Sequence, residues 1–229
     1  MKIHRFYIKP DTELKHDIWI HDIALLNQWQ KVLRFRSGQE LVLFDGAEHD
    51  RLYRIEEFNA NEAHLKYVTD FERKLPPKDI YLLWSLLKKD KNDWVLQKCT
   101  ELGVSHFLPL LADRSEKTGF NLERAKKIII EAAEQCGRSD IPNVREPVNV
   151  ASALQELQYK LPLFVCEQDE KESTTETPDK IGVLIGPEGG WSDAERELFR
   201  ENNLKYISLH DFTLRAETAC VAAISKLLQ

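Results

Sequence analysis

Beyond Pro76-Pro77 the chain alternates continuous apolar runs with amphipathic helical stretches, and this rhythm limits the fold more than any other feature. Ile80–Leu87, Ser105–Leu110, Leu161–Cys166 and Ile181–Ile185 each read as a strand buried on both faces. Between them, Asn92 is expected to cap a helix carrying Val95, Cys99 and Leu102, which Gly103 ends. A longer helix runs from Asn121 through Ala125, Ile128, Ile129, Ala132 and Cys136 to Gly137. Ser192-Asp193-Ala194-Glu195 forms a capping box, Tyr206–Leu209 a last strand and Ala216–Leu228 a last helix. Repeated βα units of this kind imply a parallel sheet covered by helices.

The residues before that point follow a different pattern. Short β-type runs at Ile3–Ile8, Asp17–Ile20, Glu40–Phe44, Leu52–Phe58 and His64–Val68 are divided by turn signals such as Asp45-Gly46-Ala47. One helix lies among them, with Ile23, Leu26, Gln30 and Leu33 on one face behind an Asp22 cap. Several short strands and a single helix predict a small β-barrel. Glu72–Lys78, with its paired prolines, reads as a linker. The expected domains are 1–72 and 73–229.

A chain of 229 residues can bury a core without a disulfide or metal staple. Cys99, Cys136, Cys166 and Cys220 are scattered without a C-x-x-C pair, so they read as reduced core thiols of a cytosolic protein, with no metal site. No apolar run approaches the length of a membrane span, and the start Met1–Arg5 lacks the apolar stretch of a signal peptide. Net charge is −6, which argues against a protein that coats nucleic acid non-specifically. Charge is uneven locally, however. Lys74–Lys98 holds six lysines against three aspartates, which taken alone reads as a solvated face.

Ligands of parallel sheets bind on the loops beyond the carboxyl ends of the strands. Three such loops stand out here. In Ile185-Gly186-Pro187-Glu188-Gly189-Gly190-Trp191, three glycines in five residues let backbone amides approach a ligand, although Gly-Pro and Gly-Gly also mark plain turns. No G-x-G-x-x-G or P-loop is present, no Lys follows the glycines, and Glu188 sits among them. An acidic loop suits a nucleoside or a sulfonium better than a polyphosphate. The second loop, Leu209–Thr218, places Arg215 and Glu217 at a helix start. Glu217 there complements the helix dipole, and Arg215 opposes it. The third loop follows Leu163–Glu167.

The motifs Ile185–Gly190, Leu214-Arg215-Ala216-Glu217-Thr218-Ala219, Glu131–Arg138 and Trp94–Val104 occur in order. With Arg5-Phe6-Tyr7, Val32-Leu33-Arg34 and Leu43-Phe44-Asp45-Gly46, they resemble the RsmE family of ribosomal RNA methyltransferases across essentially the whole chain. The resemblance implies a SPOUT-type α/β domain whose parallel sheet carries a deep trefoil knot, preceded by a small PUA-like β-barrel that binds RNA. It further implies a cytoplasmic homodimer that uses S-adenosylmethionine to methylate N3 of one uridine in 16S rRNA of the small ribosomal subunit. By motif, the cofactor would contact Leu163, Val165, Cys166, Glu167, Ile185, Gly186, Pro187, Glu188, Gly189, Gly190, Ser208, Leu209, Leu214, Arg215, Ala216, Glu217 and Thr218.

Uridine N3 must lose its proton before it can attack, so a base or an anion-stabilising cation is needed. Arg215 and Arg138 are the candidate cations. Arg5, Lys88, Lys89, Lys91 and Arg138 are candidate RNA contacts. The chain departs from the family at Leu209–Leu214, where His210, Asp211, Phe212 and Thr213 replace a pattern like Leu-Gly-x-Arg-Ile-Leu-Arg. That departure keeps two alternatives in view: a non-catalytic ribosome-binding or assembly module that retained the fold, and a methyltransferase acting on tRNA.

Overall fold

The computed structural model describes residues 3–9, 12–59, 61–115, 119–167 and 178–229. Two compact units form. The first comprises Met1–Leu75 together with Ala133–Ile141, and the second Pro76–Ala132 together with Pro142–Gln229. The chain thus returns to its first unit for nine residues, a step that a linear division at 72/73 does not contain.

In the first unit, β1 (His4–Tyr7), β2 (Asp17–Ile20), β3 (Glu40–Phe44), β4 (Asp50–Phe58) and β5 (Ala63–Asp70) form one sheet in the order β1-β3-β4-β5-β2. Every pairing is antiparallel except β1 with β3. Alternation along β2 puts Ile18 and Ile20 inward and Asp17 and Trp19 outward. The core gathers Phe6, Leu41, Leu43, Tyr53, Ile55 and Leu65. Asp22 does cap α1 (Ile23–Asn27), but the next turn, Gln28–Val32, widens to π-helical spacing. The core anchors are therefore Leu26 and Trp29, while Ile23 of the expected apolar face is exposed.

A buried polar hub ties the returning segment to this unit. Asp50 accepts hydrogen bonds from Arg5 and from Ser139 Oγ (2.6 Å), and Lys74 N–H donates to Ser139 Oγ at 2.8 Å. The Tyr7 N–H donates to Glu134 at 2.9 Å.

The second unit contains β6 (Asp79–Ser85), α2 (Lys89–Glu101), β7 (Val104–Leu111), α3 (Leu122–Cys136), β8 (Asn143–Val144), β9 (Val148–Asn149), α4 (Val150–Leu157), β10 (Leu163–Cys166), β11 (Lys180–Ile185), α5 (Asp193–Glu201), β12 (Lys205–Ile207) and α6 (Ala216–Leu227). Its sheet runs β12-β10-β11-β6-β7-β8, with β9 also on β7, and every pairing is parallel. Leu83, Leu110, Val165, Leu184, Trp191 and Phe199 share one apolar cluster. The α/β class and the parallel sheet agree with the expectation.

Two local expectations need correction. Asn92 does not cap α2, which begins at Lys89. It is buried inside the helix, where its amide spans the end of β6 by accepting from Leu87 N–H (3.1 Å) and Trp84 Nε1 (3.0 Å) and donating to Leu87 O (2.7 Å). Cys136 is exposed rather than buried, because it falls on the outer side of the last turn of α3.

Candidate functional site

Because β10, β11 and β12 are parallel neighbours, their carboxyl ends meet at one level: Cys166 lies opposite both Ile185 and Ile207. The loops leaving those ends open a cleft, closed on one side by the first turn of α6. Of the expected cofactor residues, Cys166, Glu167, Ile185, Gly186, Pro187, Glu188, Gly190, Leu209, Leu214 and Ala216 line it. Leu163 and Val165 instead pack into the core beneath it. Gly189, Arg215 and Thr218 are exposed, Ser208 and Glu217 are half-buried, and none of the five lines the cleft.

Sequence reasoning did not single out Trp191, Ile207 or Ala219 as lining residues, whereas His210, Phe212 and Thr213, which also line the cleft, belong to the expected Leu209–Thr218 loop. Trp191 follows the glycine-rich stretch directly, so a large apolar residue at the end of that loop was the available signal. Its indole is buried, its ring meets Phe199 edge-on at 5.0 Å, and its Nε1 has no hydrogen-bond partner among the described residues. His210 stacks on Phe212 at 5.1 Å and accepts the Phe212 N–H at Nδ1 (3.0 Å). The segment that departs from the family pattern is therefore locally ordered by its own side chains.

The charged residues form a definite pattern. Lys91 Nζ donates to Glu188 and lies 3.5 Å from Glu217. Glu188 holds the Lys91 ammonium above its ordinary value, and Lys91 holds the Glu188 carboxyl below the usual carboxylate range. Lys91 is thus an internal tie between α2, the glycine-rich loop and α6. Arg196 pairs with Glu167 at 3.3 Å, and Arg114 Nη1 donates to the Gly189 carbonyl at 3.0 Å. Burial pushes the Cys166 thiol above its ordinary value, which favours its protonated form.

The remaining expected residues divide. Arg215 is exposed at the N-cap of α6 and makes no side-chain capping bond. Lys88 is exposed at the N-cap of α2, whereas the side chain of Lys89 lies outside the described residues. Arg138 belongs to the first unit, where Asp140 holds its guanidinium through two bonds of 2.9 and 2.6 Å. Arg5, also in the first unit, is buried against Asp50 with Phe44 5.0 Å from its guanidinium. Both arginines are structural cations there, because neither exposes the fork that a phosphate requires. Among the described residues no group of His, Cys, Asp and Glu is arranged to hold a metal, and no helix is long and apolar enough to cross a membrane.

Comparison with known proteins agrees with this architecture. Residues 74–228 match the RNA methyltransferase domain family and residues 30–67 the RNA methyltransferase PUA domain family. Ribosomal RNA small subunit methyltransferase E of Aquifex aeolicus is 32% identical over 84% of this chain and 96% of its own length. The same-named protein of Rickettsia conorii is 28% identical over 99% and 95%. Among solved structures, ribosomal RNA small subunit methyltransferase E from Neisseria gonorrhoeae, bound to S-adenosylmethionine, superposes with a TM-score of 0.85 at 26% identity, covering 98% of this chain and 96% of that one. A Legionella pneumophila protein, also solved with bound S-adenosylmethionine, gives a TM-score of 0.87 at 28% identity over 99% and 97%. With both domains matched in order, this chain belongs to the ribosomal RNA small subunit methyltransferase E family of RNA methyltransferases.

Proposed function

We propose that the chain transfers a methyl group from S-adenosylmethionine to N3 of a uridine in 16S rRNA of the small ribosomal subunit. The observation that carries this reading is the cleft at the carboxyl ends of β10, β11 and β12, found in a chain of this family. Relatives solved with S-adenosylmethionine share the fold over nearly their whole length. The residues present fit that molecule. Ile185, Ile207, Leu209, Leu214, Ala216 and Ala219 provide apolar walls for a purine and an aliphatic chain. Trp191 Nε1 is a buried donor with no acceptor among the described residues. Glu167 and Glu188 offer carboxylate oxygens to ribose hydroxyls beside their ion pairs with Arg196 and Lys91, and among the described residues no lysine lines the cleft to hold a polyphosphate.

The cofactor supplies a methyl group already activated on a positively charged sulfur, so the protein's task is orientation and exclusion of water. Gly186, Pro187 and Gly190 on one loop and Leu209, Phe212 and Leu214 on the other form the walls that do this. Arg215, exposed beside the cleft at the start of α6, is the residue placed to stabilise the uridine anion as the N3 proton leaves. Arg138 is withdrawn from that role, since Asp140 neutralises it within the first unit. A homodimer and a cytoplasmic site of action belong to the same reading.

Calorimetric titration with S-adenosylmethionine and its demethylated product, followed by methyl transfer to unmethylated small subunits, tests the proposal. Saturable binding at one ligand per chain and a single new methyl on a uridine base are expected. Absence of binding with cofactor at millimolar concentration would instead favour the ribosome-binding module, for which the His210–Thr213 segment is the motivation.

A further inference from the structure

Five cations lie around the glycine-rich loop: Lys88, Lys91, Arg114, Arg196 and Arg215, of which Arg196 pairs with Glu167. Two other carboxylates face them, Glu188 and Glu217, and Lys91 takes both. Lys88 and Arg215 are close enough to Glu188 to add to the effect of Lys91 in lowering its carboxyl. Neither makes an ion pair among the described residues, and nor does Arg114. Asp113, the carboxylate next to Arg114, accepts instead from Ser192 Oγ.

Arg114 is held in place by its neighbours. The Asp113 N–H donates to the buried Glu195 at 3.0 Å, and Ser115 folds back through its N–H (3.1 Å) and Oγ (2.8 Å) onto the Ala112 carbonyl. From that fixed backbone, one guanidinium nitrogen reaches the Gly189 carbonyl. The side chain lies across Gly189, where a Cβ would stand 3.4 Å from Arg114 Cβ. A guanidinium has five donors in a planar fork, so this single bond leaves exposed donors on a charge anchored on the loop that lines the cleft.

We infer that Arg114, with Lys88 near the same loop, is a phosphate-binding rim of the cleft that grips the RNA backbone beside the base presented for methylation. This rests on RNA being the methyl acceptor, and it names the surface of the second unit that would hold it. Arg114 is the cation of this rim that is exposed, makes no ion pair among the described residues and is anchored directly on the loop. Phosphate contacts fix register without reading sequence, which suits a strand that must deliver one base into a cleft beside it.

The experiment uses the full chain, unmethylated small ribosomal subunits as the RNA titrated across a range of salt, and calorimetry with S-adenosylmethionine. Arg114→Gln keeps a donor for the Gly189 carbonyl and removes the charge. It is expected to hold cofactor affinity within about twofold and weaken RNA binding about tenfold at about 0.15 M salt. The slope of log affinity against log salt is expected to fall by about 0.7. Arg114→Lys restores the slope. An unchanged salt slope, or a loss confined to cofactor affinity, overturns the rim and makes Arg114 a support for the loop alone. A parent chain that binds cofactor but no RNA overturns the acceptor reading itself, and the rim with it.

Discussion

Gly186 and Trp191 define the shape of the cleft between them: a Cβ built on Gly186 would lie 3.0 Å from both Cε2 and Nε1 of the indole. The missing side chain is what allows the buried ring to sit under the loop at the end of β11. Interiors are close-packed, so an added methyl must displace either the ring or the loop, at a cost of about 1–3 kcal/mol. Gly186→Ala is expected to weaken S-adenosylmethionine binding about tenfold or more, measured by calorimetry. Unchanged affinity would mean the loop does not form the cofactor wall.

Gly189 and Gly190 are adjacent yet should respond differently. Gly190 adopts φ +67°, a conformation that costs an L-residue about 1–2 kcal/mol, whereas Gly189 does not fall in that region and a Cβ there meets only ordinary contact with Arg114. Gly190→Ala is expected to lower the unfolding free energy from urea titration by that amount, and Gly189→Ala to shift it by less than about 0.5 kcal/mol. Equal losses at the two positions would show that the backbone conformation of Gly190 is not what selects glycine.

The contrast shows what the sequence could convey. The glycine cluster and its place after an apolar strand located the cleft loop, because strand–loop–helix order and glycine density are local signals. Asn92 misled for the same reason: a good capping residue stood before a periodic run, but its amide satisfies the end of β6, a neighbour through tertiary structure rather than through the helix. Arg5 looked like a free basic residue because Asp50 lies 45 residues away. Arg114 carried no signal at all, since its value comes from the Gly189 carbonyl 75 residues later in the chain. The return of Ala133–Ile141 to the first unit was equally hidden, because a single helix, α3, runs from one unit into the other.

Arg5 and Asp50 provide a stability test inside the first unit. The Asp50 side chain is fully buried, and Arg73 Nε stands 3.6 Å from its other oxygen. Removing the carboxylate leaves the Arg5 charge buried without its counter-ion, which costs about 3–5 kcal/mol. Asp50→Ala is expected to lower the unfolding free energy by that amount. A loss below about 1 kcal/mol would indicate that water readily replaces the carboxylate at Arg5.

His106 makes stability depend on pH in a direction fixed by its surroundings. Its ring stacks on Tyr81 at 3.9 Å and lies 3.1 Å from Asp79. Burial lowers its pKa from the ordinary value of 6.5, an effect that Asp79 opposes without overcoming. In the unfolded chain His106 therefore takes up a proton at a higher pH than in the folded one. Its contribution is present above pH 6.5, and it is lost as pH falls through the lower folded value. The urea midpoint is expected to drop between pH 7.5 and 5.5 as the unfolded state binds the extra proton. His106→Gln should flatten that dependence even if it lowers stability at every pH through lost stacking, so the slope is the quantity to compare. If parent and variant fall in parallel, the sensitivity arises elsewhere and His106 is charged equally in both states.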